Sequence, residues 1–518
     1  MKIEKKYKKL IFTRAYVTGF LVLVQLMWII SLFIWLYNSY KYLDLAIRVL
    51  SLVFTVYVVN SRHEKNEYKI IWIIVVLAFP IFGVPFYFFT GEKKPGRGFL
   101  KRLKKAEKFY DDYNKQRPGA IDAFAKLDPR GALTSKYIIK DGNYPVSRNS
   151  DVEYYKQGEE IVASMMEELK KAKRFIFLEY FTIEPGQVWL PILEILKEKA
   201  KEGVEIRIIY DDFGSVAYLP KNYYKQLNKI PNFKCLKFNR IVPFFSMFMN
   251  NRDHRKMTII DGAVAFTGGI NLVNRYVNID SPYGHWKDAG VRVRGDAVWN
   301  MTLMFLEMWD AVRKDSLESE NPKKYLPENY EWKKYENGGF VQPYADEPFD
   351  DINLSENIYM EMISQADDYA YVYTPYLIMS DELTSAFCLA AKRGVDVRIV
   401  TPGIPDKKIV YRATRSSYPK LLKAGVKIYE YTPGFIHSKC MLIDGKSAVV
   451  GTINFDYRSL FLHFENGVFF AANKAVTDLQ KDMIATFKIC KEVKMADTKK
   501  SALGRVFDSV LAIFAPMM

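Results

Sequence analysis

Cysteine and histidine are scarce in this chain: four of one and five of the other in 518 residues. Cys235, Cys388, Cys440 and Cys490 are scattered and form no CxxC pair, which argues against a disulfide framework and a cysteine-bound structural zinc. Ordinary packing is the role left to them. Acidic charge is also short, 59 Asp and Glu against 75 Lys and Arg, for a net charge of +16. An excess of that size suggests an anionic partner: nucleic acid, an acidic membrane surface or a phosphate-bearing substrate. Composition does not choose among them. Charge is missing altogether from Ala15 to Tyr37.

That uncharged run is long enough to cross a bilayer, which takes about 20 apolar residues. No small-residue cleavage signature follows it, and its apolar run exceeds a signal-peptide core. Residues 70–89 read as a second span, whose Pro80, Gly83 and Pro85 membrane helices tolerate. Residues 45–60 form a weaker one, with Arg48 near one end. Basic clusters precede the first segment and follow the last, and both ask for the cytoplasmic side. An odd number of crossings cannot give both, so one segment does not span or one cluster lies opposite. Such clusters also suit anionic headgroups. Residues 1–92 are thus expected to anchor the chain in the cell membrane, with multiple passes. Residues 93–142 read as a basic, polar linker or loosely packed collar.

From about Asn143 the pattern is that of an α/β protein. "RFIFLEYFTI" and "VEIRIIYDD" read as buried strands, and "LPILEILKEKAKEG" as an amphipathic helix stopped by Gly203. Helices alternating with apolar strands imply helices packed on both faces of a sheet. The pattern then repeats. At an offset of 183 residues, "HRKMTIIDGAVAFTGGINLVNRY" from His254 superposes on "HSKCMLIDGKSAVVGTINFDYRS" from His437. Matched pairs are His254/His437, Lys256/Lys439, Asp261/Asp444, Gly268/Gly451, Asn271/Asn454 and Arg275/Arg458. Two copies of one unit are expected, over residues 143–320 and 345–495. An amphipathic segment, 496–518, follows them, with Leu503, Val506, Phe507, Val510, Leu511 and Phe514 at helical spacing. That stripe fits either the headgroup layer or packing on the body.

His and Lys two apart on a strand share a face. Asp, five residues beyond Lys, falls at the following turn, where it is better placed to hold a loop than to join the reacting groups. Two units face to face gather two His, two Lys and two Asn about one point. Lys256, Lys439, Asn271 and Asn454 can bind phosphate oxygens. One imidazole can attack phosphorus while the other protonates the leaving oxygen. Fixed protein charge then does the work of a metal, so no metal or cofactor is expected. Paired histidines can instead ligate a metal, but the lysine pair would repel it. Each imidazole needs an orienting group on its other nitrogen. Asp288, 34 residues after His254, and Glu465, 28 residues after His437, are the candidates. His285, His463 and His63 read as bystanders.

The doubled His-x-Lys-x4-Asp resembles the signature of the phospholipase D superfamily. The match is nearer to its bacterial cardiolipin synthase branch, through "KIIWIIVVLAFPIFGVPFYFFTG", "GVEIRIIYDDFGS", "FTGGINLVNRY", "TPYLIMSDEL" and "GTINFDYRSLFLHFE". It covers about residues 43–518, so Ala15 to Tyr37 looks like an additional upstream span. Two positions depart from the family's usual pattern: Lys287 stands where Arg is common, and His463 where Asn is common. The resemblance implies two tandem sandwich units behind transmembrane helices. It implies a catalytic set of His254, Lys256, Asp261, His437, Lys439 and Asp444. It implies transfer of a phosphatidyl group from one phosphatidylglycerol to another, through a phosphohistidine, with glycerol released. Its partners would be phosphatidylglycerol and anionic membrane lipids, not nucleic acid. Another membrane phosphatidyltransferase or a lipid hydrolase would share these residues and differ in acceptor. A tethered nuclease would want base-stacking aromatics along a backbone track, and none is recognisable. A scaffold protein would not need both complete motifs.

Overall fold

The computed structural model describes residues 41–61, 65–79, 97–240, 251–314, 321–327, 338–350 and 352–514, with isolated positions outside those ranges. Apolar, β-branched and aromatic runs give the strands, as the buried stretch Phe175–Tyr180 shows. The first unit contains β1 (Ser150–Tyr155), β2 (Phe175–Tyr180), β3 (Glu205–Asp211), β4 (Phe233–Phe238), β5 (Lys256–Ile260), β6 (Val264–Gly268), β7 (His285–Lys287) and β8 (Gly290–Gly295). All but β7 join one sheet in the order β1-β8-β6-β5-β2-β3-β4. The second unit contains β9 (Phe340–Asp346), β10 (Tyr369–Tyr373), β11 (Leu377–Ile378), β12 (Asp396–Pro402), β13 (Lys427–Tyr431), β14 (Gly434–Ile436), β15 (Cys440–Ile443), β16 (Ser447–Gly451), β17 (Phe455–Asp456), β18 (Glu465–Ala471) and β19 (Lys491–Val493). Its sheet runs β19-β13-β12-β10-β15-β16-β18-β9. Leaving out β19, this is the first order reversed, with parallel pairing confined to β2-β3-β4 and β10-β12-β13. The repeat read in the sequence is a repeat of topology.

Each sheet carries helices on its outer face, such as Trp189–Lys201, which ends before Gly203 at a φ of 92°. Between the units lies Val298–Val312, a mostly apolar helix buried along most of its length. Its Phe305 stacks on Phe177 of β2 at 4.5 Å. The same core takes in Tyr373, Cys440 and Val450 of the second unit. Truncating Phe305 to Ala would cost about 3–5 kcal/mol.

The units are also joined through backbone. Strand β14 pairs in parallel with β7, setting Gly434, Phe435 and Ile436 against His285, Trp286 and Lys287. A Cβ at Gly434 would lie 2.3 Å from the His285 carbonyl oxygen, so this seam depends on glycine. A second bridge joins Asp253 to Phe464.

Two expectations about the amino-terminal part change. The polar stretch 93–142, read as a linker, folds into helices Arg97–Tyr110, Ala120–Leu127 and Pro129–Gly142. Leu103, Ala106 and Tyr110 enter the central core, and Phe124 and Ile138 enter that of the second unit. Residues 70–89 are not one straight span. Helix Asn66–Ala78 ends at Phe79, and the chain doubles back so that Tyr87 packs on Trp72 at 5.2 Å and on Phe54 at 5.3 Å. A Cβ at Gly83 would come within 2.6 Å of the Val76 Cα, so glycine permits the reversal. Among the described residues no helix is long and apolar enough to cross a membrane. Most of Ala15 to Tyr37 lies outside the described residues.

Helices Lys41–Val59 and Asn66–Ala78 form a hairpin seated on the second unit. Lys65 bonds Glu356 at 2.8 Å, and Tyr68 stacks on Tyr457. The outer side of the hairpin is apolar and exposed: Val49, Leu50, Val53, Val56, Ile70 and Leu77. The carboxyl-terminal helix Ala502–Phe514 packs beside Asn66–Ala78 and Lys408–Ala424. Arg412 holds it through Asp508 at 2.6 Å, and Leu511 is buried against Ile378 and Ala413. Leu503, Val506, Phe507, Val510 and Phe514 remain exposed.

Candidate active site

Each motif lies on the approach to a strand and the hairpin after it. Lys256 opens β5, and Asp261 and Gly262 follow that strand at φ of 54° and 67°. Asp444 and Gly445 follow β15 at 51° and 63°. Positive φ at both central residues is what a tight Asp-Gly hairpin turn requires. The aspartates sit a strand's length from the lysines, roughly 16 Å for five residues. The Asp261 carboxylate accepts the backbone N–H groups of Lys173, Arg174 and Phe175 at 2.8–2.9 Å. Asp444 accepts those of Asp367, Asp368 and Tyr369 at 2.8–2.9 Å. Grouped with the reacting residues by resemblance, they instead clamp the starts of β2 and β10, as the spacing suggested.

The histidines meet their carboxylates across the two units. His254 Nδ1 lies 2.8 Å from Glu465 Oε1, and His437 Nδ1 lies 2.7 Å from Asp288 Oδ2. The spacing in sequence suggested the opposite assignment, each histidine with the acid downstream in its own unit. Backbone explains the crossing. The His254 N–H donates to the Phe464 carbonyl at 2.9 Å, and the His437 N–H to the Lys287 carbonyl at 2.7 Å. Phe464 and Lys287 immediately precede the two acids, so each exchange aims a carboxylate at the ring it serves. Within each unit, glycine at Gly268 and Gly451 lets the backbone just after each acid lie close to its neighbouring strand. A Cβ there would fall 2.4 Å from the Ala289 carbonyl oxygen and 2.3 Å from that of Asn466.

The site is dry. Lys256, Lys439, Asp288 and Glu465 are buried, and the two histidines are 8% and 7% exposed. Burial holds both imidazoles well below the ordinary histidine range, and Lys256 and Lys439 push the same way. Both rings are therefore neutral at neutral pH. Each contact with a carboxylate is a hydrogen bond from the ring rather than an ion pair. Burial lowers Lys256 to about 7 against the pull of Glu465, and Lys439 to about 8 against that of Asp288. It raises Asp288 to about 6, with Lys439 opposing. Two buried lysines set close together present donors and positive charge suited to a phosphodiester.

The two asparagines differ from the simple expectation of a matched pair. The Asn271 side chain accepts the Thr182 N–H at 2.9 Å and donates to the Tyr276 hydroxyl at 2.8 Å, so its amide organises protein. The Asn454 Oδ1 is buried without a hydrogen-bond partner.

Sequence reasoning missed His463, whose ring lies 5.5 Å from that of His254 and whose Nδ1 lies 3.8 Å from Glu465 Oε1. Its place beside Phe-Glu was the available signal. Thr452 was missed as well; its hydroxyl bonds the other oxygen of Glu465. Phe181 faces His254, while Tyr276 and Trp286 face His437, at ring distances of 5.0–5.2 Å. His285, read as a bystander, bonds the Tyr431 hydroxyl at 2.9 Å. His63 lies outside the described residues.

Comparison with known proteins gives the same grouping. The family described as "Cardiolipin synthase, PLD-like domain" matches residues 165–283 and 359–486, and "Phospholipase_D-nuclease N-terminal" matches 49–92. A Streptococcus mutans protein without an assigned activity is 39% identical over 89% of this chain and 99% of its own length. A cardiolipin synthase of a Geobacillus species is 34% identical, covering 90% of this chain and 92% of that one. The probable cardiolipin synthase YwiE of Bacillus subtilis is 31% identical over 89% and 92%. In fold, the chain is similar to the crystal structure of a Haemophilus influenzae phosphatidylserine synthase. The TM-score is 0.55 at 14% identity, covering 74% of this chain and 98% of that one. With both sheets, both motifs and relatives above 30% identity across nearly nine-tenths of its length, the chain belongs to the cardiolipin synthase family of phospholipase D-like proteins.

Proposed function

We propose that the protein makes cardiolipin from two phosphatidylglycerols in two displacement steps at one phosphorus. The observation that carries this is the crossed pairing of His254 with Glu465 and of His437 with Asp288. Each carboxylate fixes its ring as the Nδ1–H tautomer and turns the Nε2 lone pair toward the space between the units. In the first step His254 Nε2 attacks the phosphorus of one phosphatidylglycerol. The bond to the glycerol headgroup breaks. The negative charge of the bound phosphodiester offsets the lysines and lets His437, neutral without it, carry a proton on Nε2. That proton goes to the departing oxygen. In the second step the neutral His437 takes the proton of a glycerol hydroxyl on another phosphatidylglycerol. That oxygen displaces His254, and cardiolipin leaves. Lys256 and Lys439 hold the phosphate oxygens throughout. The Asn271 amide is engaged with Thr182 and Tyr276, and the unpartnered Asn454 Oδ1 is an acceptor that cannot bind a phosphate oxygen, so the phosphate contacts fall to the lysines. Asp261 and Asp444 hold the strands that carry the lysines.

Catalysis takes place at the membrane from which both substrates come. The exposed apolar faces of the amino-terminal hairpin and of helix Ala502–Phe514 are the surfaces we assign to the bilayer. The upstream segment Ala15 to Tyr37 provides a crossing, so the chain is anchored more than once.

Product analysis with purified protein and phosphatidylglycerol vesicles tests the reading. Cardiolipin and glycerol should form in equal amounts, with the rate unchanged by EDTA. Phosphatidic acid as the main product would replace transfer by hydrolysis. Loss of activity with EDTA, restored by a divalent ion, would sink the metal-free mechanism.

A further inference from the structure

We propose that His254, His463 and Glu465 form a binding site for a transition-metal cation such as Zn²⁺, and that its occupation switches the enzyme off. One ligand atom from each of the three residues lies within 4.8 Å of the other two. Two imidazoles and one carboxylate are a donor set that zinc accepts with three protein ligands, and closing to zinc's 2.0–2.2 Å bonds asks only for small side-chain shifts. Two edges of the triangle are short already: 2.8 Å from His254 Nδ1 and 3.8 Å from His463 Nδ1 to the same Glu465 oxygen. His463 Nδ1 is buried and has no hydrogen-bond partner. The proposed reaction uses His254 and Glu465 but gives His463 nothing to do. Among the described residues the second half offers no such third ligand: besides Asp288 and Lys439, His437 faces the rings of Tyr276, Trp286 and Phe435.

The inhibition follows from proton placement. In the working state the His254 ring carries its proton on Nδ1, toward Glu465, and keeps a lone pair on Nε2. A metal bound at Nδ1 takes the place of that proton. The neutral ring then carries its proton on Nε2, and the lone pair that would attack phosphorus is gone. Glu465 becomes a ligand and no longer orients the ring. A cost is visible at His463, whose Nε2 accepts from Arg458 Nε at 3.3 Å; metal at Nδ1 puts a proton on Nε2, so Arg458 must turn aside. The nearby Lys256 and Lys439 oppose any cation, which makes this a site for tightly ligated metals and not for Mg²⁺ or Ca²⁺.

The inhibitory part rests on His254 as nucleophile; the binding part does not, and the test separates them. The full-length protein is titrated with Co²⁺ while its visible d–d absorption is followed, and its transfer rate is measured against Zn²⁺ concentration. His463→Asn and His463→Gln are measured alongside, each rate expressed relative to the same variant without metal. A low-symmetry Co²⁺ band should appear in the native protein and be lost in both variants. The zinc concentration for half inhibition should rise by about tenfold or more in them. Mg²⁺ should do nothing at the same concentrations. Absence of the band from the native protein, or its survival in both variants, would overturn the site. A band lost with His463 while zinc inhibition stays unchanged would overturn the switch.

Discussion

The two halves of the site share one topology and differ in how they hold their acid. In the first half, Asp288 is short and steadied by backbone, its Oδ1 accepting the Ala289 N–H at 2.9 Å. In the second, Glu465 is one methylene longer and steadied by the Thr452 hydroxyl. The repeat sets Thr452 against Gly269, where a Cβ would strike Asp288 Oδ1 at 2.0 Å. So the first unit has no side chain there, which leaves room for Asp288, and the second uses one to hold Glu465. The lysines differ too. Lys439 lies 2.8 Å from His437 Nδ1 and also donates to the His437 carbonyl, whereas Lys256 donates to the His254 carbonyl. Duplication supplies two matched halves, and small changes around the carboxylates are enough to give them different work.

The largest effect should come from the histidines. His254→Ala and His437→Ala are each expected to cut cardiolipin formation by about 10²–10⁴-fold or more, followed with labelled phosphatidylglycerol. The comparison sharpens if the intermediate is trapped. An adduct on His254 supports the assigned roles, and one on His437 reverses them. Either variant working at a near-native rate would end the two-histidine scheme.

The carboxylates come next. Glu465→Gln and Asp288→Asn should each slow turnover by roughly ten- to a hundredfold with little change in melting temperature. Because the pairs cross, Glu465→Gln should impair adduct formation on His254, although the two residues belong to different units. Asp288→Asn should act through His437 and the leaving group. A change below about threefold, under about 1 kcal/mol of barrier, would demote either acid to a packing role.

A smaller effect should appear in pH. With Lys256 lowered to about 7 and Lys439 to about 8, both are charged at acidic pH and lose charge as pH rises through that window. The anionic phosphodiester needs them charged, so KM for a short-chain soluble substrate should rise from about pH 7 to 9. A flat KM across that range would mean that the lysines do not bind the phosphate.

The smallest effect concerns the carboxyl-terminal helix. Val506→Ser with Phe507→Ser should lower activity on vesicles severalfold while sparing the soluble substrate. Leu511→Ser, at the buried side of the same helix, should lower the melting temperature instead. Equal loss on both substrates from the exposed pair would assign that face to the core.

Legibility in the sequence followed the range of the forces involved. Strands β2 and β3 and helix Trp189–Lys201 stood out because local periodicity and a terminal glycine are local signals. The two units stood out because the motif occurs twice. The crossing of the acid–base pairs was hidden, since it depends on the three-residue strands β7 and β14, too short to show any period. The helices of 93–142 were hidden by their charge. Leu103, Ala106 and Tyr110, together with Phe99 packed on Phe238 and Phe464, mark the inner side of Arg97–Tyr110. The expected long membrane helix at 70–89 failed where Gly83 lets the chain lie against its own preceding turn.

The backbone exchange between His254 and Phe464, and between His437 and Lys287, has a consequence for fragments of the chain. Neither unit owns a complete acid–base pair. A nick or truncation that separates them leaves each histidine without its carboxylate and each carboxylate without its histidine. Partial copies should therefore be inert rather than half-active, and a damaged molecule should not become an unregulated lipase in the membrane it serves. Mixing separately expressed units should restore activity only where the seam between β7 and β14 re-forms, so lipid cleavage itself reports the integrity of the chain.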